Sequence, residues 1–327
     1  MKVLVVNPSI KEWFEEHRDH IPEEVEIISP TSDSDLCTLA ADVQVIVTTR
    51  LSKEVVSAAK QLKLIQKTGA GMDAIPFDVI PDDVVVANTS GANPVPMAEG
   101  TIALMFALAK QIVQKHSNFP DRHPLRGVEL RDKHVAIVGM GNIGKEIARR
   151  LVPFGMKVHG IQRNPKQKMV EELSLASCVG SEQLMNILKI SDFVLLTAPL
   201  TPETRGMIGE SELRAMKSTS YLVNIGRAGL IEEEAMYNAL KDKWIAGAAL
   251  DVWWVPHWWD PSWNPELRVP SRYPIWEFDN IIAIPHNIGF VERTSYSSRA
   301  LEIIAKNISN VFYGKDIINT VDKITQY

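Results

Sequence analysis

The sequence predicts an α/β protein of two lobes, each a parallel sheet wrapped by helices. Three observations carry that expectation. Short runs rich in β-branched residues alternate with helix-like stretches along the chain, the alternation falls into two separate series, and the second series opens on a glycine-rich turn between a strand and a helix. At 327 residues the chain is also too long for one ordinary core.

The first series comprises KVLVVN, VEIIS, VQVIVTT, LKLIQKTG and VVVANTS, with intervals such as SKEVVSAAKQ in the 3.6-residue period. Runs this apolar are expected where both faces of a parallel sheet are covered. A long helix candidate then extends from about Met97 to His116, and FPDRHPLRG, with two prolines and a glycine, reads as a surface connection. The second series begins at His134: HVAIVG, KVHGIQ, DFVLLTAP, YLVNIG, AGAALDV and NIIAIPH. Stretches such as NIGKEIARRLVPFG and EEEAMYNALKD separate them, and six strands with intervening helices complete a doubly wound unit. The last helical pattern, RTSYSSRALEIIAKNISNVFYG, has no strand of its own to serve and is assigned back to the first lobe. The expected domains are therefore 1–97 with 288–327, and 98–287.

Composition narrows the function classes. Hydrophobic residues at 45% and charged residues at 23% are ordinary for a globular protein. A net charge of -5 and a pI of 5.9 give no electrostatic reason to bind nucleic acid or an anionic membrane, so small ligands are expected as partners. Cys37 and Cys178 share no metal-type spacing, and neither a metal site nor a disulfide scaffold is expected. MKVLVVNPSI lacks a signal peptide's long apolar region, and TIALMFALA, nine residues from Thr101, is half of the roughly 20 needed to span a bilayer. A reducing, cytoplasmic location is expected.

Strand HVAIVG runs into GMGNIG, which places Gly139, Gly141 and Gly144 in a G-x-G-x-x-G turn opening a helix, with Asn142 and Ile143 inside it. Glycines there permit a tight turn and let backbone N–H groups reach a pyrophosphate at the positive helix end, the dinucleotide-binding pattern of a Rossmann domain. An acid about 20 residues on usually binds the ribose 2′-hydroxyl of NAD. Here Gln162 holds that place and Arg163 follows, with Lys166 and Lys168 close by. Nothing repels a 2′-phosphate and a guanidinium is at hand, so NADP(H) is expected over NAD(H).

Four further stretches lie at predicted strand ends or loops: TGAGMD (68–73), SGANPVPMAE (90–99), NIGRAGL (224–230) and IPHNIG (284–289). Together with GMGNIG and TAPLTPET (197–204), their order and spacing resemble the D-2-hydroxyacid dehydrogenases across nearly the whole chain. The resemblance implies a Rossmann cofactor domain inserted into a smaller flavodoxin-like substrate domain, and a homodimer. It also implies cofactor contacts at Ala198, Pro199, Thr204, Ile225, Gly226, Asp251 and Gly289. The family's Arg and His fall on Arg227 and His286. Reducing a 2-oxo acid needs a cation for the carboxylate and carbonyl and an acid for the oxygen, tasks that suit a guanidinium and an imidazole. Gly69, Ala70 and Gly71 would offer backbone N–H groups to the carboxylate. Asn93 resembles the substrate-side Asn of formate dehydrogenases, although Asn between Ala92 and Pro94 also suits a turn.

The pattern breaks at one place. The family has a Glu five residues after the Asp of its LDV motif, paired with the catalytic His; here that position is Pro256, followed by His257. The interval from Asp251 to His286 is about ten residues longer than the family's, which implies an insertion, and Glu266 stands where it would restore the acid. His257, another loop group or no carboxylate are the alternatives. The same stretch holds Trp253, Trp254, Trp258, Trp259 and Trp263. Either Trp253 or Trp254 narrows a substrate pocket while the others pack the insertion, or all pack against the protein's own body or a dimer mate.

The resulting expectation is an NADP(H)-preferring reductase of glyoxylate or hydroxypyruvate, with Arg227, His286 and Glu266 as catalytic residues and Asp251 as a structural or nicotinamide-side group. A formate dehydrogenase-like enzyme and a dinucleotide-sensing protein similar to co-repressors are the alternatives.

Overall fold

The computed structural model describes residues 1–32, 35–121, 124–255, 270–289 and 293–326. Two compact units divide the chain, Met1–Asn93 with Val291–Tyr327, and Pro94–Phe290. The division falls at Pro94 because that residue opens a continuous helix, and a proline at the first helical position is preorganised for it. The expected boundary at 97/98 would have cut through this helix.

The first unit holds five parallel strands, β1 (Lys2–Val5), β2 (Glu26–Ile28), β3 (Val45–Thr48), β4 (Leu64–Lys67) and β5 (Val85–Ala87), in the order β2-β1-β3-β4-β5. That is the flavodoxin-like order. Strands β3 and β4 are buried along their whole length, as expected where both faces of a parallel sheet are covered, and β4 takes the polar Gln66 and Lys67 into the interior with it. Helices α1 (Pro8–Glu16), α2 (Leu36–Ala40) and α3 (Lys53–Ala58) connect them, and the Ser52 side chain caps α3 by accepting from the Val55 N–H. The final helix returns to this unit: its Leu301, Ile304 and Ile308 pack with Val3, Val5, Val45 and Leu64, and the Asn307 amide donates to Gln66 Oε1 at 2.7 Å.

The second unit begins with α4 (Pro94–Lys110) and α5 (Ile112–Ser117). The sequence predicts one helix here, but Gln111 takes a left-handed φ of 51° and breaks it. Seven parallel strands follow: β6 (His134–Val138), β7 (Lys157–Ile161), β8 (Ser177–Val179), β9 (Phe193–Leu196), β10 (Tyr221–Asn224), β11 (Gly247–Leu250) and β12 (Ile281–Ala283). Helices α6 (Asn142–Leu151), α7 (Gln167–Leu173), α8 (Leu184–Ile190), α9 (Glu210–Ala215) and α10 (Glu233–Lys241) lie between them, and α11 (Arg293–Phe312) is the final helix of the first unit. The sheet order β12-β11-β10-β9-β6-β7-β8 reverses between β6 and β9, which is the switch point where open α/β sheets bind ligands. The sheet has one strand more than the six expected, β8, whose residues Ser177, Cys178 and Val179 offer no apolar run. Two cores sandwich the sheet, one with α4 and α6 and one with α8 to α10.

Candidate active site

Every expected cofactor contact lies at the carboxyl edge of the seven-stranded sheet. Gly139 ends β6, Gln162 and Arg163 follow β7, Ala198 and Pro199 follow β9, Ile225 and Gly226 follow β10, Asp251 follows β11, and Gly289 lies in the loop after β12. At the switch point Gly139 has a φ of +108°, and a Cβ on it would lie 2.6 Å from Ala198 N. A Cβ on Gly144 would stand 2.2 Å from Gly139 O, so no larger residue lets α6 approach the turn this closely. Gly141 caps α6, leaving the helix's positive end, with Asn142 and Ile143 in its first turn, open toward an anion. This crowded turn fits the pyrophosphate of a dinucleotide. Thr197 Oγ1 donates to Gly139 O at 2.6 Å and Thr204 Oγ1 donates to Pro199 O at 2.7 Å, which fixes the neighbouring TAPLTPET loop.

At the tip of β7 the Gln162 side chain donates to Asn164 O. The exposed Arg163 guanidinium lies 3.7 Å from the Glu203 carboxylate. Glu203 also accepts from Thr201 Oγ1, and this bond, more than Arg163, holds its carboxyl below the usual range. No carboxylate side chain follows β7 at residue 162.

Arg227 and His286 share a register. Asn224, Leu250 and Ala283 are aligned across β10, β11 and β12, and Arg227 and His286 each stand three residues beyond that row. Two strand spacings, about 10 Å, separate β10 from β12 at the row from which the Arg227 and His286 segments leave the sheet. Asn224 shapes the Arg227 turn: its Oδ1 accepts from Gly226 N–H at 3.0 Å and its Nδ2 donates to Arg227 O at 3.0 Å. Asn224 is not among the residues expected from the sequence, although an Asn two positions before Gly at a strand end is the signal of an Asx turn. Arg227 Nη1 donates to Gly226 O at 2.8 Å.

Asp251 lies between the two. Only 1% exposed, its Oδ1 accepts from the N–H groups of Asn287 and Ile288 at 2.9 and 3.1 Å. Burial pushes its carboxyl up to about 6, with those two donors opposing the rise. The carboxylate therefore holds the turn that carries His286, and His286 itself has a left-handed φ of 56°. Trp253 and Trp254 follow, partly buried against the core on that face of the sheet. Their indoles donate to Ile284 O at 2.8 Å and Ile231 O at 3.0 Å. Both rings thus pack on the second unit's own body rather than standing clear of it. The insertion is closed at its base by Val255 N–H donating to Pro270 O, and buried Glu233 accepts from Ser271 Oγ and from Arg272 N–H and Nε. Pro256, His257, Trp258, Trp259, Trp263 and Glu266 lie outside the described residues.

In the first unit the loop Gly69–Gly71 follows β4. Thr89 N–H donates to Gly69 O and Asn88 Nδ2 donates to Ala70 O, so the carbonyls anchor the loop. Among the described residues, no hydrogen bond is donated by the amides of Gly69, Ala70 or Gly71. Asn93 directly precedes α4. Among the described residues no cluster of His, Cys, Asp or Glu has metal-holding geometry, and no helix is long and apolar enough to cross a membrane.

The family model for the D-isomer specific 2-hydroxyacid dehydrogenase, NAD binding domain, matches residues 102–287. D-3-phosphoglycerate dehydrogenase from Methanocaldococcus jannaschii is 30% identical over 335 residues, covering 98% of this chain. The chain spans only 59% of that relative's length. Glyoxylate reductase from Thermococcus litoralis is 34% identical over 290 residues, covering 85% of this chain and 82% of its own. Among solved structures, an NADPH-dependent glyoxylate/hydroxypyruvate reductase from Sinorhizobium meliloti, in complex with NADP and malonate, superposes with a TM-score of 0.78 at 22% identity, covering 99% of this chain and 98% of its own. The chain belongs to the D-isomer specific 2-hydroxyacid dehydrogenase family.

Proposed function

We propose that the protein is an NADP(H)-preferring reductase of small 2-oxo acids, with glyoxylate and hydroxypyruvate as first substrates. The observation that carries this reading is the common register of Arg227 and His286 on either side of Asp251, at the edge that also holds the dinucleotide turn. The bound dinucleotide would supply the hydride at nicotinamide C4. Arg227 clamps the acid's carboxylate and polarises its carbonyl, and His286 protonates the oxygen as the hydride arrives. Gly69, Ala70, Gly71 and Asn93 are assigned as substrate contacts, and Glu266 as the carboxylate partner of His286. The Glu266→Gln variant should cut turnover and lower the kinetic pKa of the proton donor; an unchanged pH profile removes Glu266 from the site.

The cofactor preference rests on Gln162 and Arg163. A 2′-phosphate would compete only with a solvent-screened ion pair between Arg163 and Glu203. Comparing the Michaelis constants of NADPH and NADH tests it, and a clear preference for NADH refutes it. A panel of 2-oxo acids followed at the nicotinamide absorbance tests the substrate class. Turnover of glyoxylate or hydroxypyruvate supports the reading, and silence toward every acid favours a dinucleotide sensor. The protein is assigned to the cytoplasm as a homodimer; exposed Ile112, Val113, Phe119 and Phe154 on the second unit supply apolar surface for a second copy.

A further inference from the structure

We propose that Trp253 is a positioning residue for His286, so that the strand end leading into the tryptophan-rich insertion also sets the geometry of proton transfer. The inference rests on the reading of His286 as proton donor. Four hydrogen bonds fasten the segment around this residue. Ahead of it, Ile284 N–H donates to Leu250 O at 2.9 Å, and Ile284 O accepts the Trp253 indole N–H at 2.8 Å. Behind it, Asn287 and Ile288 donate to Asp251. The Leu250 bond continues the sheet ladder, Asp251 stands one residue beyond β11, and Trp253 reaches back to the segment from three residues beyond it.

The backbone of His286 makes that anchor consequential. A φ of 56° is unfavourable for a residue with a side chain, and it persists only where the surroundings over-determine it. With Ile284 held through both its peptide groups, the two residues to His286 have little freedom to relax toward an ordinary φ. The donor itself is held, because the partly buried Trp253 packs against the hydrophobic core on that face of the sheet. A phenylalanine would fill most of the same space and donate nothing. Ile284 O would lose its partner, the approach to His286 would keep only the Leu250 anchor, and the imidazole would sample orientations away from the substrate oxygen.

Trp254 provides an internal control. Its indole makes a comparable bond, to Ile231 O at 3.0 Å, on the same core, but that carbonyl follows the short helical turn Ala228–Leu230 and belongs to a different segment from His286. The test compares Trp253→Phe, Trp254→Phe and His286→Ala with glyoxylate, or with whichever acid of the panel is turned over, and NADPH. In W253F, kcat should fall about tenfold and the limb of its pH profile that reports the proton donor should move, while the dinucleotide KM stays within about twofold. In W254F, kcat should stay within about twofold, with a loss of thermal stability similar to that of W253F. Equal losses of kcat in the two variants, or a W253F rate and pH profile like the wild type, overturn the proposal. If H286A keeps full activity, the assignment of His286 fails and this inference with it; an inactive H286A beside a fully active W253F sinks the positioning role alone.

Discussion

Replacing Asp251 by Asn should change the pH dependence of stability by a calculable amount. The carboxyl is raised by burial from 3.8 to about 6, so its ionised form costs the folded protein about 3 kcal/mol relative to the unfolded chain. The sign follows from the proton count. Below 3.8 both states are protonated and nothing is lost; from 3.8 to about 6 the unfolded chain releases its proton first, so stability falls as pH rises; above about 6 the loss is complete. About half of it has accrued by about pH 5, leaving about 1.4 kcal/mol to be lost between about pH 5 and about pH 7.5. Asn does not titrate, and its Oδ1 still accepts from Asn287 and Ile288 N–H. The stability of wild type relative to Asp251→Asn should therefore drop by about 1.4 kcal/mol across that interval, all other titrating groups cancelling. Urea unfolding at the two pH values, followed by tryptophan fluorescence without cofactor, reads the difference. A change below about 0.5 kcal/mol, or an increase, would refute the claim that burial dominates this carboxyl.

The opposite sign is expected at the other end of the sheet. His159 donates to or accepts from His134 Nδ1 at 2.9 Å and Ser177 Oγ at 2.8 Å, and burial, reinforced by the charges of His134 and Lys157, lowers it from 6.5 to about 4. Stability from this group is complete above 6.5 and drains away as pH falls through about 4, to a total of about 3 kcal/mol; His159→Gln should remove that acid sensitivity in urea titrations. Gly144→Ala would push a methyl to 2.2 Å from Gly139 O, so α6 must shift, and NADPH affinity measured by fluorescence should weaken at least about tenfold. Retained affinity would mean the helix end does not hold the pyrophosphate.

The strands of both units were legible because parallel strands buried on both faces leave an apolar run with no polar alternation, as Val45–Thr48 and Phe193–Leu196 show. The short, half-buried β8 leaves no such trace, and nothing in the sequence around Gln111 announces a left-handed residue within an apolar helical pattern. Of the candidate site, the glycine turn and the strand-end positions of Arg227 and His286 are readable as local motifs. Contacts between distant segments were not. Glu233 reads as an acid in a helix's first turn, yet it is buried and holds Ser271 and Arg272 nearly forty residues on. Trp253 reads as part of an aromatic cluster, while its indole's partner, Ile284 O, lies 31 residues away on the neighbouring strand's exit.

The roles of Arg227 and His286 are tested most directly by steady-state kinetics of Arg227→Ala and His286→Ala with glyoxylate and NADPH. Arg227→Ala should raise the KM for the acid by a hundredfold or so and leave the dinucleotide KM unchanged, while His286→Ala should lower kcat by about two to four orders of magnitude. Wild-type kcat in the His286 variant would contradict the assignment of His286, and an unaltered acid KM in the Arg227 variant would contradict that of Arg227.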